Sequence, residues 1–105
     1  MIEVHYAWDL LPGIDPQGYG EWARKAISSL LKAPGFVEVR AQRNMLGLPQ
    51  GLAISVWQTM ADWAKYNESA EWQAFMAELR DKWATNFRVE IWGPSPVVPE
   101  PIRPG

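Results

Sequence analysis

Seven Trp and three Tyr in 105 residues are a large supply of ring faces that carry polar tips. They are densest in the stretch VWQTMADWAKYNESAEWQAF, residues 56–75, where a strand ends on Trp57 and a helical pattern begins at Thr59. Aromatic residues then recur at Trp63, Tyr66, Trp72 and Phe75. An indole N–H or a phenol O–H is a neutral donor on an apolar body. A dry pocket walled by such groups holds a planar aromatic molecule and orients its carbonyl or phenol oxygen. Trp57 and Tyr66 are the candidates for orienting the reacting group. Tyr6, Trp8, Trp63 and Trp72 are the candidates for stacking area. Packing explains the same residues differently. Trp63, Trp72, Phe75 and Trp83 fall at helical spacing, as core residues do, and Trp57 is expected to pack on the outer sheet face.

Other chemistries are narrowed by composition. There is no Cys, so disulfides, thiolate metal sites and Cys nucleophiles are excluded. The single His, His5, leaves too few nitrogen ligands for a zinc site, and no metal is expected, although carboxylates could hold a hard cation weakly. His5 alone has an ordinary pKa near neutrality; it reads as a satisfied interface residue or a general base. Charged residues make up 21% with net charge −2, and the basic residues are scattered, which argues against nucleic acid. No stretch reaches the roughly 18 to 20 apolar residues that span a bilayer. No basic segment precedes an apolar run. A cytoplasmic protein without a membrane segment is the expectation.

The elements that must position these residues follow from periodicity. Residues 2–9 alternate, with Ile2, Val4, Tyr6 and Trp8 on one face. Asp15-Pro16 opens an amphipathic helix that runs to Leu31 and stops at Ala33-Pro34-Gly35. Strands are predicted at 36–43, 52–57 and 87–92, with a long hairpin loop at 44–51. Thr59 and Asp62 resemble a capping box. The second helix is predicted to break near Asn67-Glu68-Ser69. Residues 1–92 form one domain. Residues 93–105 carry five Pro and read as an extended arm.

The order β-α-β-β-α-β implies an α+β, ferredoxin-like fold: a four-stranded antiparallel sheet with two helices on one face. The helix-facing set is expected to be Ile2, Val4, Tyr6, Trp8, Val37, Val39, Leu52, Ile54, Val56, Phe87, Val89 and Ile91. The other face is expected to carry Glu3, His5, Ala7, Arg40, Ser55, Trp57, Arg88, Glu90 and Trp92. Its mixture of aromatics and both charge signs predicts a homodimer formed through sheet faces.

Pro34-Gly35-Phe36-Val37, together with Trp57, Trp63, Ser69 and Phe75, resembles the antibiotic biosynthesis monooxygenase-like group of dimeric α+β barrel proteins. The resemblance covers residues 1–92. It implies a cofactor-independent oxygenase, needing no cofactor, that acts on a small aromatic or polyketide-like substrate. Tyr66 stands where many members carry a His, and Ala53 stands where quinone-forming members carry an Asn. Those departures point to an alternative, a non-catalytic dimeric ligand-binding or stress-response protein. A second alternative, haem binding or degradation, needs an axial His that the second helix lacks.

Overall fold

A computed structural model describes residues 1–105. The elements are β1 (Ile2–Leu10), α1 (Pro16–Leu30), β2 (Phe36–Arg43), β3 (Gly51–Trp57), α2 (Met60–Asn67), α3 (Ala70–Glu78), a π-helical turn at Leu79–Trp83, and β4 (Ala84–Trp92). The sheet order is β2-β3-β1-β4, with every neighbouring pair antiparallel. This is the ferredoxin-like α+β fold, with the helices on one face.

Each helix starts where a side chain satisfies free backbone N–H groups. The Asp15 carboxylate accepts from Gln17 and Gly18, with Pro16 in the first turn. Thr59 accepts from the Asp62 N–H and its own hydroxyl donates to the Asp62 carboxylate, so Thr59 caps α2 while the carboxylate returns to the hydroxyl and not to the backbone N–H of a full capping box. Ser69 accepts from the Trp72 N–H and starts α3. The break between the second and third helices thus falls where Asn67-Glu68-Ser69 predicts it. Trp22 Nε1 donates to the Phe75 carbonyl and ties α1 to α3.

The core lies between sheet and helices. Val4, Tyr6 and Trp8 from β1 meet Trp22, Ala26 and Leu30 from α1 and Trp72, Met76 and Leu79 from the C-terminal helical segment. On β4, Phe87, Val89 and Ile91 share this side, as the pairing of Tyr6 with Val89 and Val4 with Ile91 requires. A bulge between Ala7 and Asp9 shifts the register. Across it Asn86 takes a positive φ of 54° and its amide donates to Asp9; Asn tolerates that left-handed conformation better than most residues.

Strand β3 is reversed relative to expectation. Tyr6 pairs with Ala53, Val4 with Ser55 and Ile2 with Trp57, so Ala53, Ser55 and Trp57 face the helices. Leu52, Ile54 and Val56 face the other way, beside Ala7, His5 and Glu3. Side-chain period is two, so the whole strand exchanges faces at once. The large aliphatics suggested the core face, but the pairing with β1 decides it. Trp57 is therefore fully buried under the helices, against Phe36, and not on the outer sheet face. On β2 a bulge between Phe36 and Glu38 turns Phe36 inward and leaves Val37 exposed, whereas Val39 stays on the helix side. The outer face carries Glu38, Arg40, Arg88, Glu90 and Trp92 around the β3 aliphatics. Residues 93–105 form no helix or strand.

Candidate functional site

A cavity of about 120 Å³ lies between the sheet and α1 and α3. Tyr6 and Trp8 of β1 and Ala53 and Ser55 of β3 form its floor. Trp22, Trp72 and Met76 form part of its helical wall. Small residues on β3 opposite large aromatics on β1 create this space: Ala53 lies directly across from Tyr6. Ala23 and Ile27 of α1 and Val39 and Ala41 of β2 line the side where the cavity opens, Ile27 and Ala41 being exposed. A cavity of about 150 Å³ lined by apolar side chains binds benzene, so this one matches a single ring.

No charged side chain lines the cavity. The polar atoms of its lining residues are neutral: the indole N–H groups of Trp8, Trp22 and Trp72, and the hydroxyls of Tyr6, Tyr19 and Ser55, which both donate and accept. Trp8 Nε1 donates to Tyr19 Oη at 3.2 Å. Trp63 Nε1 donates to Tyr6 Oη at 3.0 Å. Trp57 Nε1 donates to Ser55 Oγ at 2.9 Å. Burial pushes the Tyr6 phenol above the ordinary tyrosine range, against the opposing pull of the Trp63 N–H and of Trp72 and Ser55 beside it. Trp72 Nε1 makes no hydrogen bond and is the only buried side-chain polar atom left without a partner.

The structure brings three of the six sequence candidates to the cavity wall: Tyr6, Trp8 and Trp72. Trp63 stands behind Tyr6 as its donor. Trp57 and Tyr66 lie outside the lining. Trp57 fixes Ser55. The Tyr66 ring sits between Trp57 and Trp72, at centroid distances of 5.4 and 5.2 Å, and its hydroxyl bonds to Ser29. Burial also raises the Tyr66 pKa, opposed by the Ser29 bond. Tyr19, Trp22, Ala53 and Ser55 line the cavity although none was a sequence candidate. The signal for the last two was the small-residue alternation of β3, which becomes readable only once the register is known.

His5 lies on the opposite sheet face, where its Nε2 is 3.0 Å from Glu3 Oε1. That contact, followed by Arg40, holds the Glu3 carboxyl below its ordinary range. A polar depression of about 300 Å³ includes His5, Arg43, Arg88 and Glu90 on this face. No three His, Cys, Asp or Glu side chains cluster as a metal site. No helix is long and apolar enough to cross a membrane.

The family model described as antibiotic biosynthesis monooxygenase matches residues 1–78. The uncharacterized protein YqjZ of Bacillus subtilis is 30% identical over 74 residues, which are 70% of this chain and 63% of that protein. The chain therefore spans under two thirds of that relative's length. Among solved structures, SnoaB, a cofactor-independent oxygenase from Streptomyces nogalater, superposes with a TM-score of 0.74 at 14% identity, covering 94% of this chain and 97% of that one. Rv0793 from Mycobacterium tuberculosis gives a TM-score of 0.74 at 10% identity, covering 90% and 94%. Identities this low carry the fold alone.

Proposed function

The chain belongs to the antibiotic biosynthesis monooxygenase family, and from that premise we propose that it is a cofactor-independent oxygenase acting on a small, electron-rich aromatic substrate. The observation that carries this reading is the uncharged, aromatic-walled cavity bounded by Tyr6, Trp8 and Trp72. Its volume suits a single ring better than a fused polyketide, whose further rings would extend past Ala23 and Ala41.

The reaction class is oxidation of an activated ring CH2 to a carbonyl. The substrate, acidic enough to ionise in water, loses its proton to solvent before it is enclosed and enters as the enolate. That carbanion delivers electrons to O2 and forms a carbon–oxygen bond, giving a hydroperoxide once protonated. The O–O bond then breaks: one oxygen stays as the new carbonyl, and the other leaves as water with the two hydrogens of the former CH2. The substrate supplies all four electrons. Neutral donors favour this course because they strengthen as charge gathers on the substrate oxygen. In this reading Trp57 and Tyr66 are positioning residues: Trp57 holds Ser55, and Tyr66 backs the Trp72 ring.

Oxygen uptake by chelator-treated protein tests the proposal, with anthrone and with a single-ring analogue as substrates. Uptake should match carbonyl product one to one. Absence of uptake despite measurable binding would favour the second reading, a non-catalytic ligand-binding protein. That reading also has an observation behind it. No carboxylate, imidazole or ammonium lines the cavity, and Ala53 offers no polar group, so the substrate must arrive already acidic.

The working unit in this proposal is a homodimer joined through the outer sheet face. Leu52, Ile54 and Val56 lie on that face among Glu3, Glu38 and Arg40; Ile54 and Val56 are already buried within the single chain, whereas Trp92 is 54% exposed. An apolar centre with a polar rim is the usual anatomy of such an interface.

A further inference from the structure

Trp83 is the one tryptophan whose indole N–H meets a carboxylate: its Nε1 donates to Glu78 Oε2 at 3.1 Å. The π-helical turn makes this pair. On an α-helix the neighbours are three and four residues apart, but the wider turn at Leu79–Trp83 brings the fifth residue back over Glu78. Gly18 completes the placement. A Cβ there would lie 2.9 Å from the Trp83 ring, so a glycine that weakens the first turn of α1 lets the indole lie against it. The ring ends beside Tyr19, edge to face at 6.1 Å between centroids. Trp83 and Glu78 are both half-buried, and neither lines the cavity.

Tyr19 joins this outer pair to the cavity. It lines the cavity itself, its hydroxyl accepts from Trp8 Nε1 at 3.2 Å, and its ring stacks on Trp22 at 5.8 Å. Trp8, Trp22, Tyr19 and Trp83 are thus an unbroken run of indole and phenol rings from the cavity toward water. Such rings are among the most readily oxidised side chains. The run also has a direction. An indole that loses an electron becomes acidic at its N–H, and the resulting hole is stabilised where a base takes that proton. The Trp8 N–H meets a phenol oxygen and the Trp22 N–H a backbone carbonyl, neither of which takes up a proton at neutral pH. Trp83 faces a carboxylate, whose negative charge also favours the hole.

We propose that Trp8, Trp22, Tyr19 and Trp83 form a relay that carries one-electron oxidation out of the cavity and leaves it on Trp83, with Glu78 as the proton acceptor. The oxidant is a peroxyl radical of the ligand, formed when a ligand carbon radical combines with O2. It takes one electron from Trp8 or Trp22 and becomes a peroxide anion. Trp83 returns one electron to that indole through the Tyr19 ring and gives its N–H proton to Glu78. A neutral indole radical then stands beside a neutral carboxylic acid. Glu78 loses the proton to water, and a thiol in solution gives a hydrogen atom to Trp83 and becomes a thiyl radical. The function is protective: damage that would modify the buried cavity wall ends on an indole that solvent reductants reach. The relay rests on the oxygenase reading only for its oxidant, and light supplies another, so each can fail without the other.

The test ionises indoles with an ultraviolet laser pulse in air-saturated buffer, where dissolved O2 takes up the ejected electrons. Light reaches all seven tryptophans, so solvent access does not choose the first site. Peptide mass spectrometry then locates the oxidised residues. In the wild type Trp83 should carry several times its even share, and transient absorption should show the neutral indole radical replacing the radical cation. Tyr19→Phe should return Trp83 to its even share and raise oxidation at Trp8 and Trp22. Glu78→Gln alters no ring; it should slow the conversion of cation to neutral radical several-fold, and it stands in if Tyr19→Phe does not fold. An even share at Trp83 in the wild type overturns the relay, as does oxidation led by the exposed Trp92. The same Trp83 yield in Tyr19→Phe, or a radical-cation decay that Glu78→Gln leaves unchanged, overturns it too.

Discussion

At the scale of single residues, the hydroxyls of the tyrosines carry the most information. All three are displaced in the same direction: burial raises Tyr6, Tyr19 and Tyr66 above the ordinary phenol value. The sign of the linkage follows. The fold favours neutral phenols, so their contribution is fully present below the unfolded value of about 10 and is lost as pH rises through the higher folded values. Tyrosinate absorbance of the native protein should therefore lag that of free tyrosine and should rise together with loss of the tertiary signal. Native protein showing normal tyrosine titration before any unfolding would contradict this. Tyr66→Phe gives a second prediction. It keeps a ring wedged between Trp57 and Trp72 but strips Ser29, 6% exposed, of its partner. We expect a stability loss of about 1 to 2 kcal/mol by urea unfolding.

At the scale of elements, the join between α1 and β2 is coupled to the start of α2. Gly35 has φ +83°, and a Cβ there would lie 2.3 Å from the Asp62 carboxyl carbon. Its carbonyl also accepts from the Gln58 N–H at 2.8 Å. Gly35→Ala adds left-handed strain and displaces the capping Asp62 together. The expected cost is about 2 to 4 kcal/mol in urea unfolding; a loss below about 0.5 kcal/mol, the range of a neutral surface change, would refute the coupling. Elements are also where the sequence was most readable. Asp15-Pro16 and Thr59 announced the starts of α1 and α2, and Asn67-Glu68-Ser69 announced the break, because caps and breaks are local chemistry. Alternation placed β1 and β4 on their correct faces. It misplaced β3, because Leu52, Ile54 and Val56 outweigh Ala53 and Ser55 on hydrophobicity alone, and no local signal reports pairing register. It misplaced Val37, because a bulge leaves no mark in an alternating pattern. The cavity inherits this limit. Tyr6, Trp8 and Trp72 were legible as aromatic residues on inward stripes, whereas Ser55 and Ala53 became visible only once β3 had turned over.

At the scale of the whole molecule, the proposed dimer turns on the outer sheet face. Reversal of β3 puts Leu52, Ile54 and Val56 on that face beside His5 and Ala7, but Ile54 and Val56 are already buried within the single chain, so the apolar surface left for a partner is chiefly Trp92. Sedimentation at micromolar concentration should give twice the 11.9 kDa chain mass. Trp92→Asp should halve it: position 92 is 54% exposed in the single chain, so the folded chain tolerates Asp there, whereas a dimer core would bury an unpaired charge at a cost of several kcal/mol. A wild-type mass near that of one chain would sink the proposal.

The distribution of indoles gives the protein a built-in optical gauge. Trp8, Trp22 and Trp72 touch the cavity, whereas Trp57, Trp63, Trp83 and Trp92 do not. An electron-poor ring seated among the first three will accept an electron from an excited indole and darken it, and a saturated molecule of equal size will not. Quinone-type products should thus quench most of the emission and leave a steady remainder chiefly from Trp92 on the opposite sheet face. Turnover would then be visible as a partial loss of fluorescence that recovers as product departs, with no label attached to the chain.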